Sequence, residues 1–162
     1  MRHLIILVLI FVLSAVSIHA QQRPSVGLGI GFTLDPETFL FGGRFDYPLV
    51  SGLSLGPFIQ VGVSDEDTLV GISGNFKYSF ILAEVPRLVP SVEAGAGVLV
   101  ADTEENGGDD DSDTSFLLVF GGGADYMITN NFGVGSHVYF NPAPGPGEDF
   151  FFSWYFGIVF NL

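Results

Sequence analysis

The stretch Ser25-Val-Gly-Leu-Gly-Ile-Gly-Phe-Thr-Leu34 alternates strictly between two kinds of residue. Its even-numbered positions are all apolar, and its odd-numbered positions are serine, glycine or threonine. A period of two is that of a β-strand, in which successive side chains point to opposite faces. The stretch therefore predicts a strand with one large apolar face and one face of nearly bare backbone.

The same alternation recurs seven more times along the chain, and no stretch has the periodicity of a helix. Polar or turn-forming residues separate the runs, including a turn at 48–52 and an acidic loop at 101–114. An even number of antiparallel strands, each of about nine to twelve residues, is typical of a membrane barrel. The sequence predicts an all-β, eight-stranded antiparallel up-and-down transmembrane β-barrel, whose further strands are 39–47, 53–64, 70–80, 88–100, 116–126, 132–140 and 150–162.

The composition indicates that the apolar face of this barrel points outward. The apolar face is crowded with aromatic residues, whereas the interior of an eight-stranded barrel barely holds its own side chains. The opposite face has five charges over all eight strands, and only 14% of the whole chain is charged, too few for a water-exposed exterior. We therefore expect lipid around the barrel. The alternative is a soluble acidic barrel from a salt-adapted organism.

The first twenty residues have the layout of a secretory signal peptide. Arg2 and His3 form a basic start, residues 4–13 are apolar, and small and polar residues follow. We predict cleavage after Ala20, with cleavage after Ser17 or an uncleaved N-terminal anchor as alternatives. The predicted organisation is a signal peptide at 1–20 and a barrel at 21–162, in which no apolar run is long enough for a transmembrane helix.

The chain is acidic and lacks cysteine, with 18 acidic and 5 basic residues. It is therefore a poor nucleic-acid binder, and disulfides and thiolate zinc sites are excluded. If the mature N-terminus lies in the periplasm, the outward-facing connections contain 14 of the 18 acids and no lysine or arginine. These acids are Asp35, Glu37, Asp65, Glu66, Asp67, Asp102, Glu104, Glu105, Asp109, Asp110, Asp111, Asp113, Glu148 and Asp149.

Together with the eight runs, the signal peptide and the closing strand Trp154-Tyr-Phe-Gly-Ile-Val-Phe-Asn-Leu162 resemble the small eight-stranded outer-membrane β-barrel family. Outer-membrane proteins X and W and the transmembrane domain of outer-membrane protein A are members. The resemblance implies a monomer in the outer membrane of a Gram-negative-type bacterium, with lipid around it. It also implies insertion by the barrel-assembly machinery, which reads a terminal-strand signal that Gly157, Phe160 and Leu162 match in outline, although Leu replaces the usual Phe.

Five charged residues fall on the face that we assign to the lumen. Buried charges must be paired, so we predict a network centred on Arg44, Lys77 and Glu93 that plugs the barrel. An ion or proton path is the alternative function of this site. The predicted lumen network consists of Arg44, Asp46, Lys77, Glu93 and Asp125.

The acidic loop is a candidate site for weakly bound Ca²⁺ or Mg²⁺, because hard cations bind clustered carboxylates. Its spacing is not that of an EF-hand, since Thr114 stands where a glycine is needed. A solvated loop without a cation is the alternative, and we expect no other cofactor. The candidate cation ligands are Asp102, Glu104, Glu105, Asp109, Asp110, Asp111 and Asp113.

The residues give no support for catalysis. Ser136 and His137 are adjacent and so face opposite sides of their strand, which excludes a direct nucleophile–base pair between them. We expect His137 to lie in the lumen and to hydrogen-bond to Tyr139 or Tyr155. The predicted function is that of a non-enzymatic barrel with a plugged polar lumen and a structural, adhesive or protective role. The alternative, implied by outer-membrane protein W, is a transport or binding barrel for a small or hydrophobic ligand.

Overall fold

The computed structural model describes residues 23–34, 37–64, 67–103, 111–144 and 150–162, so the predicted signal peptide lies outside the described residues. Eight strands form in the order that the alternating runs predict. Their bounds are β1 Ser25–Leu34, β2 Phe39–Val50, β3 Leu53–Val63, β4 Asp67–Ser79, β5 Leu88–Thr103, β6 Asp111–Met127, β7 Phe132–Pro142 and β8 Phe150–Asn161.

The strands form one closed antiparallel barrel in which each strand pairs with its neighbours in sequence. Closure is made by β1 and β8, which pair from Ser25 opposite Asn161 to Leu34 opposite Phe152. The prediction of an eight-stranded up-and-down barrel is confirmed. We call the end with the connections β2–β3, β4–β5 and β6–β7 the turn end, and the opposite end the loop end.

The described ranges contain no helix with the length and hydropathy needed to cross a membrane.

Several strands are longer than the alternating pattern predicts. β5 has 16 residues and β6 has 17, and they pair as far as Thr103 opposite Asp111. The connection between β5 and β6 is therefore shorter at both ends than the predicted loop at 101–114. Backbone hydrogen bonds do not depend on side-chain polarity, so the hairpin continues through polar residues after the apolar alternation has ended.

The predicted turn at 48–52 is also shorter in the structure. β2 continues through Pro48 to Val50, with a register shift between these two residues where the pairing with β3 is irregular. Proline has no N–H to donate, and a bulge is one of the places where a strand tolerates it. The chain then reverses at Gly52, whose φ of 78° lies in the left-handed region that favours glycine.

The apolar face of the sheet is on the outside of the barrel, as predicted. Phe41 and Phe76 are each 52% exposed, and Phe156 is 48% exposed, whereas Glu93 on the other face is 6% exposed. A soluble barrel would bury the apolar side chains and expose the charges, so the arrangement contradicts the soluble alternative. Contiguous exposed apolar surface of this kind is the exterior of a membrane barrel.

The interior has two zones, and one of them is less polar than predicted. The charged side chains occupy the part nearer the turn end, whereas buried polar side chains also occur toward the loop end, among them Thr33, Asn141 and Ser153. These lie beside what we call the apolar cluster, whose members are Leu40, Leu69, Leu99, Leu117, Val119, Ala143 and Phe151. Leu69, Leu99 and Leu117 each precede another apolar residue, so the alternation does not reveal which of the two points inward.

Candidate functional site

All five charges predicted for the lumen point into the barrel, and the structure brings them together. They come from four strands, with Arg44 and Asp46 on β2, Lys77 on β4, Glu93 on β5 and Asp125 on β6. The side chain of Asp46 is the most exposed of the five, at 13%, and that of Glu93 the least, at 2%. With His137 of β7 they form what we call the charge cluster.

Arg44 lies at the centre of the charge cluster. Its Nη1 donates to Oε1 of Glu93 at 2.8 Å, and its Nη2 donates to Oδ2 of Asp125 at 3.1 Å. Its Nε lies 3.6 Å from Oδ2 of Asp46. A guanidinium has five N–H donors in a rigid plane, so one arginine can hold carboxylates from three strands at once.

Lys77 is the second cation of the cluster, and it contacts the two aspartates rather than Glu93. Its Nζ lies 3.2 Å from Oδ2 of Asp46 and 3.5 Å from Oδ2 of Asp125. Lys77 is the cross-strand partner of Glu93 in the register of β4 and β5, yet Glu93 pairs with Arg44 instead. The network is therefore centred on Arg44 and Asp125 rather than on Arg44, Lys77 and Glu93.

His137 faces the lumen as predicted, but its predicted hydrogen bond to a tyrosine is wrong. Its Nε2 lies 3.0 Å from Oδ1 of Asp125, and its Nδ1 lies 3.6 Å from Oε1 of Glu93. The ring stacks on Tyr139 with 6.2 Å between the ring centroids. The parity of β7 alone places His137 inside the barrel, but its partner depends on how β6 and β7 are staggered.

Glycines on neighbouring strands make room for the large lumen side chains. A Cβ added to Gly27 would lie 2.9 Å from Cγ of Arg44, which is the cross-strand partner of Gly27. A Cβ on Gly135 would meet the carboxylate of its partner Asp125, and one on Gly123 would meet the ring of its partner His137. The glycine-rich inner face of the strands is therefore the surface against which the charge cluster packs.

An aromatic layer covers the charge cluster on the side of the loop end. It consists of Phe58, Tyr139 and Tyr155, whose ring centroids are 5.1 to 5.8 Å apart. The hydroxyl of Tyr155 donates to Oε1 of Gln60 at 3.1 Å, and Nε2 of Gln60 donates to Oδ1 of Asn141 at 3.4 Å. The sequence analysis did not identify this layer, although its three rings are at inward-facing positions of their strands, as Arg44 and His137 are.

The geometry of Ser136 agrees with the absence of a nucleophile–base pair at that position. Its hydroxyl is on the outer surface, where it accepts a hydrogen bond from Nε1 of Trp154 at 2.8 Å. His137 lies on the inner surface with Asp125. Across the residues that the structure describes, no group of three or more histidine, aspartate or glutamate side chains is placed to hold a metal ion.

Most of the candidate cation loop lies outside the described residues. This applies to Glu104, Glu105, Asp109 and Asp110. Asp102 and Asp111 belong to β5 and β6, and Asp113 of β6 is exposed. Cation binding by this loop stays a prediction.

A closed eight-stranded barrel with an apolar exterior and an ion-paired interior defines the class, which is that of the small outer-membrane β-barrels. No family model matches the chain, and no curated protein sequence matches it. Solved structures of this class do match it.

Among them is the N-terminal β-barrel domain of Pseudomonas aeruginosa OprF, with a TM-score of 0.69 and 20% identity over 87% of this chain and 98% of that one. Neisserial surface protein A has a TM-score of 0.70 and 14% identity, covering 86% of this chain and 96% of that one. The outer-membrane enzyme PagL has a TM-score of 0.52 and 16% identity over 85% and 99% of the two chains. At these identities the similarity shows the fold, and the set contains an enzyme.

Proposed function

We propose that the chain is a non-catalytic structural barrel of the outer membrane, closed to the passage of solutes. The single observation that carries this proposal is the filling of the lumen by the charge cluster, the aromatic layer and the apolar cluster, one above the other. The space beside Arg44 and Tyr155 is about 40 Å³. That volume holds about three water molecules, which is too little for a solute path.

The charge distribution supports a role for the loop end at the cell surface. We propose that the turn end faces the periplasm, which places outside the cell the 14 acids predicted for the loop-end connections, four of which lie in the ends of β4, β5 and β6. Such a surface repels other acidic surfaces and binds cations from the medium. An adhesive or protective role then belongs to the loops, and the barrel supports them.

The assembly of the barrel is part of the same proposal. The C-terminal strand β8 pairs with β1 and closes the sheet. A strand that completes the closure is suited to recognition by the barrel-assembly machinery while its edge is still unpaired. We propose that the closed product is a monomer.

Single-channel recording in planar bilayers tests the proposal. We expect the wild-type barrel to give no steady openings, because three layers of side chains block the lumen. A variant with Phe58→Ala and Tyr155→Ala removes two of the three rings of the aromatic layer but keeps the charge cluster and the apolar cluster, so it should also stay closed. Steady openings of the wild type would contradict the closed barrel and favour the transport alternative.

A further inference from the structure

The connection between β4 and β5 at the turn end is an exposed apolar segment. It runs from Phe80 to Arg87, and every residue in it is exposed. The side chains of Phe80, Leu82 and Val85 are 37% to 46% exposed. Two tight turns shape the segment, since the N–H of Val85 donates to the carbonyl oxygen of Leu82 at 3.2 Å, and the N–H of Leu88 donates to that of Val85 at 3.0 Å. A short hydrogen-bonded segment therefore presents these apolar side chains beyond the end of the sheet.

The lipid-facing band of β4 is already complete where this connection begins. The outward-facing residues of β4 start at Val70, and the same face continues to Phe80. Ten steps of about 3.3 Å, tilted by about 40° to the barrel axis, span about 25 Å, which is the usual height of the apolar band. At the loop end the next outward residue is the polar Thr68, whereas at the turn end Leu82 and Val85 follow. The apolar surface of this hairpin therefore continues past the band at the turn end.

Aromatic rings mark where the hydrocarbon ends on this side. Tyr78 and Phe80 pack with their ring centroids 5.0 Å apart, and Tyr47 and Tyr126 are also exposed on the outer surface near the turn end. Tyrosine is enriched at membrane interfaces, where its ring meets hydrocarbon and its hydroxyl meets water or headgroups. Leu82 is two residues beyond Phe80 and so at most about 7 Å further out. The headgroup layer on each side of a bilayer is about 5–8 Å thick, so the connection lies at its depth.

The charges of the turn end fit the phosphates of this layer. Outside the predicted signal peptide and the charge cluster, the chain has two basic residues, Arg23 and Arg87, and both are exposed at the turn end. Glu84 is the one acid of the sequence that belongs neither to the charge cluster nor to the predicted loop-end connections. A guanidinium is well suited to donate to phosphate oxygens. The turn end is therefore the end whose charges favour contact with phospholipid headgroups.

We propose that the β4–β5 connection binds the headgroup layer of the bilayer around the barrel and anchors the turn end there. Phe80, Leu82 and Val85 lie among the upper parts of the acyl chains, and Arg87 lies at the level of the phosphates. A soluble partner protein fits less well, because these side chains continue the lipid-facing surface of β4 without a break. Ile81 is not part of the anchor, since it lines a cavity at the turn end of the lumen.

Fluorescence quenching in vesicles tests the anchor, with Leu82→Trp as the reporter in a Trp154→Phe background. We expect lipids brominated near the headgroup ends of their acyl chains to quench the reporter more strongly than lipids brominated near the chain ends. Aqueous acrylamide should quench it weakly. Adding Val85→Glu should raise the acrylamide quenching at least about twofold, because phosphates repel a carboxylate at this depth. Val85→Leu is the matched control and should leave the acrylamide quenching low.

Three results would overturn the anchor. Efficient acrylamide quenching without quenching by either brominated lipid would place the connection in water, as expected if a soluble protein covers it. Strongest quenching by lipids brominated near the chain ends would place it in the hydrocarbon, and equal acrylamide quenching with Val85→Glu and Val85→Leu would show that its apolar side chains do not hold it. If Leu82→Trp does not fold, Val85→Trp reports on the same connection.

The anchor rests on the proposed membrane barrel, and the experiment separates the two. Trp154 of the wild-type chain lies on the outer surface, away from the turn end, and reports on the lipid around the strands. Quenching of Trp154 by brominated lipid, together with a reporter quenched by acrylamide alone, would reject the anchor and leave the membrane barrel standing. Failure of both to respond to brominated lipid would reject the membrane barrel itself.

Discussion

Arg44→Met should destabilise the barrel by about 3–5 kcal/mol, the usual cost of removing one partner from a buried ion pair. The substitution leaves Glu93 with no lysine or arginine within 4 Å, only Nδ1 of His137 at 3.6 Å, and leaves Asp125 with Lys77. Methionine has a similar length and retains part of the packing against Gly27, so the loss is mainly electrostatic. The measurement is the free energy of unfolding from urea titrations of the barrel refolded into lipid vesicles.

Two further variants show whether the loss of stability comes from the broken ion pairs or from the replacement of any arginine by methionine. Arg87→Met makes the same chemical change at an exposed position of the β4–β5 turn and should cost less than about 1 kcal/mol. Combining Arg44→Met with Glu93→Gln removes the unpaired carboxylate and should recover part of the lost stability. Equal stability of Arg44→Met and the wild type would show that the charge cluster does not hold the strands together.

Ile72→Arg should destabilise the barrel by about 2–4 kcal/mol, because it places a charge on the lipid face near the middle of the bilayer. Ile72 is near the centre of β4 and is 49% exposed on the outer surface. Hydrocarbon cannot solvate the guanidinium there, and the side chain is too far from either interface to reach it with ease. Unfolding in vesicles measures the change, with the fraction of folded barrel read from heat-modifiable migration on SDS gels.

Val63→Arg is the matched control, because it places the same charge on the outer surface at another depth in the bilayer. Val63 is on the same outer surface, is 45% exposed and is the last residue of β3 at the loop end. An arginine there is near the interface and should cost about 0–1 kcal/mol. Equal losses of stability at the two positions would mean that the cost of a charge on the outer surface does not depend on its depth in a bilayer.

The strand count and the two faces of the sheet could be predicted because both are local properties of the chain. A period of two shows which residues share a face, and the amount of aromatic and charged surface then decides which face meets lipid. The same reasoning failed where apolar residues are consecutive, as at Leu117 and Leu118, because no alternation remains to assign the faces. It also ended β5 too early and began β6 too late, because polar residues continue this hairpin to Thr103 and Asp111.

The members of the charge cluster could be predicted, but most of their partners could not. Parity places Arg44 and Asp125 in the lumen, whereas their hydrogen bond joins residues 81 positions apart on strands that are not neighbours. Such a contact depends on the stagger of all the strands around the barrel, which is a property of the closed sheet. The same holds for His137, whose expected partner was a tyrosine and whose observed partner is Asp125.

The central claim is that lipid surrounds the outer surface of this barrel, and the single tryptophan tests it most directly. Trp154 is 42% exposed and lies on that surface between Phe32 and Phe156. In vesicles that contain lipids brominated along their acyl chains, we predict strong quenching of its fluorescence, with little quenching by aqueous acrylamide. Efficient quenching by acrylamide without quenching by brominated lipid would contradict the account, because it would place this surface in water.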